Sequence, residues 1–150
     1  LIIRNTTKVF AHPFGISLDK KAQRLYSANV ESNDVSVLST EGSNLKRVAR
    51  IKVGGRPYAS ALALEGKLLF VTNQDDSTVS VIDTKTLTEI KQIEVGEKPE
   101  GISTHTDDRH VYVANWFDGT VSVIDAQTLS VVKTITTADG SRAFGDFISR

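Results

Sequence analysis

Three basic or titratable side chains occupy one recurrent position: His12, Arg56 and Lys98 each precede a proline (Pro13, Pro57, Pro99). In a fourth, incomplete repeat Ser141 stands where the prolines stand, and Arg142 follows it. If the fold brought these groups together, their potentials would add and favour an anion. On the alternative reading they are solvated turn residues of a neutral protein. Trp116 and Phe117 stand side by side in "NWFDGT", between strand-like segments. Two large aromatics at a turn tip form either a ligand wall or contact patch, or a plug against a neighbouring turn.

Other candidates read as structural. His105 and His110 flank "TDDR", a spacing that suits a polar hairpin better than the helix-borne pairs of metalloenzymes, so no metal ligand is assigned. Asp83 and Asp125 precede Thr84 and Ala126 at strand ends and are expected to organise a turn, with Ser39 in their place in the first copy. The recurrent Asn29, Asn73 and Asn115 suit turns, where asparagine satisfies local backbone groups at low conformational cost. No glycine-rich phosphate loop, Ser/His/Asp arrangement or nucleophile elbow is present. No catalytic residue and no cofactor is therefore assigned.

The elements that must position these residues follow from an internal repeat. Pro13, Pro57 and Pro99 lie 44 and 42 residues apart, and Asn29, Asn73 and Asn115 follow the same spacing. The two extra residues of the first copy fall in "LSTEGSNL", a composition that a surface connection tolerates. Within each copy the hydrophobic period is two. In the middle copy the pattern predicts strands at Tyr58 to Leu64, Lys67 to Asn73, Thr78 to Asp83 and Thr88 to Val95. Four short antiparallel strands per repeat indicate an all-β fold, a β-propeller of four-stranded blades. The divisions are a partial blade over 1–12, blades over 13–56, 57–98 and 99–140, and a partial blade over 141–150. In that arrangement the turn before each proline and the turn after each asparagine share one face.

"LFVTN" and "VYVAN", followed by "TVSVID" and "VGEKP", resemble the YVTN-type β-propeller repeat of surface-layer and YncE-like periplasmic proteins. The first copy departs most, with "LYSAN", "DVSVLS" and "FAHP". The likeness covers nearly the whole chain and is specific for fold more than for function. It implies an exported protein, periplasmic or at the cell surface. The ending "SRAFGDFI" is similar to the closing segment of complete propellers of this kind. The chain is thus expected to be the C-terminal part of a propeller of about seven blades, since three cannot close a ring. The absence of Met, even at position 1, agrees with processing or excerpting.

Composition narrows the partners. Eighteen Lys plus Arg balance 18 Asp plus Glu, so no net field draws nucleic acid or anionic membranes. No apolar run approaches the length of a membrane span. Without Cys there is neither a disulfide framework nor a thiolate metal site. Two function classes follow. One is a non-enzymatic binding or scaffold propeller, holding a partner protein or a small anionic or aromatic ligand through Arg56, Lys98, Trp116 and Arg142, with His12 and Phe117 beside them; the remaining blades, or another chain, complete it. The other, implied by resemblance, is the propeller of an enzyme like the amine dehydrogenases, haem-d1 nitrite reductases or lactonases, with its chemistry supplied from outside this segment.

Overall fold

In the computed structural model, residues 2, 3, 5–42, 44–145, 147 and 148 are described. Twelve strands form three four-stranded antiparallel sheets: β1 Pro13–Asp19, β2 Arg24–Asn29, β3 Asp34–Ser39 and β4 Lys46–Lys52; β5 Pro57–Ala63, β6 Leu68–Asn73, β7 Thr78–Asp83 and β8 Thr88–Glu94; β9 Pro99–Thr104, β10 His110–Asn115, β11 Thr120–Asp125 and β12 Ser130–Thr136. Strands follow chain order within each sheet, as hairpin connections require. No helix occurs among the described residues. The chain is an all-β propeller segment. Val35, Val79 and Val121 are equivalent, facing Ile51, Ile93 and Ile135 on the outer strands.

Sheets stack because their valines alternate. Tyr26, Ala28, Val35 and Val37 of the first sheet pack on Leu69, Val71 and Ile82 of the second. Phe70, Val79 and Val81, from the other face of the second sheet, pack on Val111, Val113 and Ile124 of the third. The middle sheet is buried on both faces, which is why "LLFV" has no polar alternation. Phe70 is fully buried, and truncating such a ring to alanine costs about 3–5 kcal/mol.

The innermost strands β1, β5 and β9 lie side by side, while the outer β4, β8 and β12 barely meet. Hydroxyl groups fix this register: Ser17 donates to the Ser60 carbonyl at 2.8 Å, and Thr104 to the Leu62 carbonyl at 2.8 Å.

The end segments differ from expectation. Within the expected partial blade over 1–12, the described residues form no strand. The segment packs on the first sheet through Lys8 and Phe10: Arg47 donates to the Lys8 carbonyl at 3.3 Å, and Phe10 lies under the guanidinium groups of Arg47 and Arg50. Residues 141–145 run beside β9, where a further inner strand would lie, also without strand pairing. Residues 1 and 4 of the expected partial repeat 1–12, and residues 146, 149 and 150 of that over 141–150, lie outside the described residues. So does Ser43 of the insertion.

Candidate functional site

Each turn before a proline is fastened to the turn after the asparagine of the same repeat. Val30 and Glu31 donate backbone hydrogen bonds to the carbonyls of His12 and Ala11, Gln74 and Asp75 to Arg56 and Gly55, and Trp116 and Phe117 to Lys98 and Glu97. His12, Arg56 and Lys98 take left-handed backbone conformations, with φ of 52°, 56° and 51°. This recurrence places them at equivalent points of one face, beside Trp116 and Phe117.

Beneath these turns the three asparagines are fully buried. Their side chains bridge to the next strand more than they serve the backbone. Asn73 donates to Thr78 and Ser80 at 2.9 and 2.8 Å, and Asn115 to Thr120 and Ser122, both at 2.9 Å. In the first repeat Asn29 donates to Asp34 and Ser36. Asp34, also buried, is ion-paired with Arg50 at 2.6 Å.

The predicted basic belt is largely compensated. His12 contacts Glu31 at 2.5 Å, and Lys98 pairs with Asp75 of the preceding repeat at 2.8 Å. Arg56 has no carboxylate partner among the described residues, and shares a polar hollow of about 280 Å³ with His12, Glu31, Asn33 and Asp75.

Arg142 belongs to a different set. Ser141 stands where the prolines stand, so Arg142 is equivalent to Phe14, Tyr58 and Glu100, the residues after each proline. These four ring the mouth of the central groove as two pairs. Phe14 and Tyr58 stack with centroids 4.0 Å apart. Glu100, 1% exposed, receives two hydrogen bonds from Arg142, at 2.6 and 2.8 Å, and one from Gln74 at 3.0 Å. The hydrogen bonds to Glu100 are the main cause raising the Arg142 pKa above its ordinary value. Burial first, then the Glu100 charge, raises the Tyr58 phenol above its usual range. Arg142 lies 4.3 Å from the Trp116 ring and 5.4 Å from that of Phe144. Trp116 and Phe117 meet edge to face at 4.7 Å.

Below this mouth, the inner strands and residues 143–145 enclose a groove of about 410 Å³. Its polar groups are Ser60, Ser103 and Thr104, and its apolar walls include Ile16 and Ile102. Sequence reasoning missed Glu100, Gln74, Tyr58 and Phe144. The available signal was the alignment of Ser141 with the prolines, which puts Arg142 one repeat from Glu100.

The opposite face is built of turns. Asp83 accepts from the amides of Lys85 and Thr86, both at 2.8 Å, and the Thr86 amide leads the causes that hold its pKa low. Asp125 accepts from Gln127 and, through its other oxygen, pairs with Arg109; the Arg109 hydrogen bond leads the causes lowering its pKa to about 2. Ser39 accepts from Glu41 at 3.2 Å in the first repeat. Both His105 and His110 contact Asp107, at 3.2 and 2.6 Å. Desolvation pushes this carboxyl up, but hydrogen bonds from His110, Arg109 and His105 outweigh it and hold the pKa far below normal. These residues do not approach the Arg142 cluster.

Sheet topology, inner-strand register and the central groove define a β-propeller. The chain belongs to the cytochrome D1 heme domain family, whose model matches residues 22–143. It is similar to hydrazine synthase of Kuenenia stuttgartiensis, with 29% identity and a TM-score of 0.81 over 89% of this chain and 38% of that one. The periplasmic gluconolactonase PpgL of Pseudomonas aeruginosa is 21% identical, with a TM-score of 0.74 over 87% of this chain and 41% of that one. Apo AztD of Citrobacter koseri is 15% identical, with a TM-score of 0.69 over 83% and 34%. At those identities the last two show the fold alone. The chain thus spans less than half of each structure it matches. Comparison with curated proteins finds no match.

The family implies a haem, which the residues can be tested against. Haem iron is held by His, Cys, Met or Tyr, and this chain has no Cys or Met. His12 sits on an outer turn against Glu31, and His105 and His110 lie at the opposite face on Asp107. Tyr58 is stacked on Phe14. No histidine lines the central groove. Among the described residues there is no group of three or more His, Cys, Asp or Glu that could hold a metal ion. The described side chains do not fit a haem ligated by this chain.

Proposed function

We propose that the chain forms three blades of an exported, non-enzymatic β-propeller of the YVTN type, which binds a small ligand or a partner protein on the face carrying Arg56, Lys98, Trp116 and Arg142. The observation that carries this reading is the cluster of half-buried Trp116 with exposed Phe117, Phe144 and Arg142 at the groove mouth, for Trp and Arg are enriched at binding hot spots and aromatics at interfaces. His12 lines the neighbouring polar hollow. The repeated "VTN" and "VAN" strands with "TVSVID" support the YVTN assignment. Export rests on the resemblance of these repeats to YncE-like periplasmic propellers.

A second reading, part of an enzyme, is favoured by one observation: the family is named for a heme domain, and the hydrazine synthase likeness is 29% identical. On that reading the chemistry sits outside these blades. Native mass spectrometry of the intact protein with an absorbance scan from 350 to 700 nm separates the two. The binding reading expects no bound chromophore, and a stoichiometric haem or other redox group would reject it in favour of the enzyme.

A further inference from the structure

A guanidinium offers anions its in-plane N–H groups and offers rings its faces. In Arg142 one edge of the guanidinium is committed to a buried carboxylate, which balances its charge. Nε bonds Glu100 at 2.6 Å and Nη2 bonds the same carboxylate at 2.8 Å. Glu100 cannot swing away to release them, because its side chain is 2% exposed and is gripped from the other side by Gln74. Breaking such a pair would strand a buried charge. Nearby, Lys98 is cancelled by Asp75. Glu97 and Asp118 add negative charge at the neighbouring turns, where Asp118 accepts from the Glu97 amide at 2.7 Å. Little positive potential remains for an anion at this spot.

Ring surface does remain. Phe117 is 57% exposed and Phe144 58% exposed. Trp116, tied by its amide to the Lys98 carbonyl, holds the Arg142 guanidinium at 4.3 Å. Stacking on a cation whose charge is balanced in its own plane retains the dispersion and face contacts without demanding a negative ligand.

We infer that Trp116, Arg142 and Phe144 form a binding site for a small molecule bearing a planar, uncharged aromatic ring, and that Glu100 is its positioning residue, orienting Arg142 and withdrawing it from anion binding. This rests on the binding reading above and decides between the anionic and aromatic ligands that reading allows.

Trp116 is the one tryptophan of the chain, so its fluorescence reports the site directly, with Trp116→Phe as the blank. Titration uses 4-nitrobenzyl alcohol as the neutral aromatic probe and inorganic phosphate as the anion. The expected result is saturable quenching by the aromatic, with phosphate at least ~10-fold weaker. In Glu100→Gln the freed guanidinium gains phosphate affinity, so that preference falls at least ~3-fold; a purely structural role for Glu100 would weaken both probes alike. If Glu100→Gln does not fold, Phe144→Ala serves, with the aromatic expected to weaken at least ~3-fold and phosphate to stay unchanged. Phosphate binding as tightly as the aromatic, or only linear, collisional quenching by the aromatic, overturns the inference. Both of these results leave the wider top-face reading standing. That reading fails separately, if substitutions across the face leave capture of the native partner unchanged.

Discussion

Gly101 has no room for a β-carbon, because the Ala143 carbonyl oxygen passes directly over it. Gly15 meets the Tyr58 carbonyl in the same way, at the equivalent place between the first two sheets. Small residues two positions after each proline are thus what lets neighbouring inner strands approach and close the groove wall. Gly101→Ala should force the backbone of residues 141–145 outward and destabilise the protein by about 1–3 kcal/mol, the usual cost of overpacking. Urea unfolding checks this, and a loss within about 0.5 kcal/mol, typical of a surface change, would contradict the close approach.

Acid should weaken the fold through the turn carboxylates. The Asp125 pKa, near 2 and held there chiefly by Arg109, lies below the usual carboxylate value of about 3.9. A depressed folded-state pKa gives stability that is complete above the unfolded value and lost as pH falls through the folded one. The loss should therefore run from about pH 4 down to about pH 2, with Asp83, lowered mainly by the Thr86 amide, adding in the same direction. Asp125→Asn should be less stable than the parent at pH 7 and show a shallower fall over that window. Urea midpoints at pH 7, 4 and 2 test it; identical slopes for parent and variant would remove Asp125 as a contributor.

The exposed apolar side chains of β1 should cause self-association. Phe14, Ile16 and Leu18 alternate along β1 and are 53%, 68% and 50% exposed. A row of exposed apolar side chains on an inner strand invites another chain to cover it. Light scattering over a concentration series should show the average mass of the 150-residue chain rising above 16.3 kDa, and Ile16→Lys should reduce the rise. A concentration-independent monomer would count against it.

The fold was legible because each repeat carries its own strand and turn signals. Expected bounds of Tyr58 to Leu64 and Thr88 to Val95 stand one residue from the observed Pro57–Ala63 and Thr88–Glu94. Alternating valines report burial locally, so no distant partner is needed to read them. The site was less legible. Glu100, in "KPEG", looks like a surface turn residue, and its burial is made tolerable by Arg142, 42 residues later, together with Gln74. His12 and Lys98 looked like free charges because nothing in the repeat spacing shows that Glu31 and Asp75 reach them across the turns.

The top face itself can be tested residue by residue. Arg56, without a carboxylate partner among the described residues, is the cation there with the most uncommitted charge, whereas Lys98 spends its own on Asp75 at 2.8 Å. Exposed charge contacts are worth about 0.2–1 kcal/mol, and a desolvated aromatic anchor about 2 kcal/mol or more. If a ligand or partner recovered with the intact protein binds on this face, Trp116→Ala should weaken it roughly 30-fold or more, the equivalent of about 2 kcal/mol. Arg56→Ala should weaken it by at most about fivefold, and Lys98→Ala by less, since removing Lys98 also frees Asp75. Isothermal titration of the three variants gives the ordering. Parent-like affinity in all three would return these residues to the role of turn formers and move the binding surface elsewhere on the propeller.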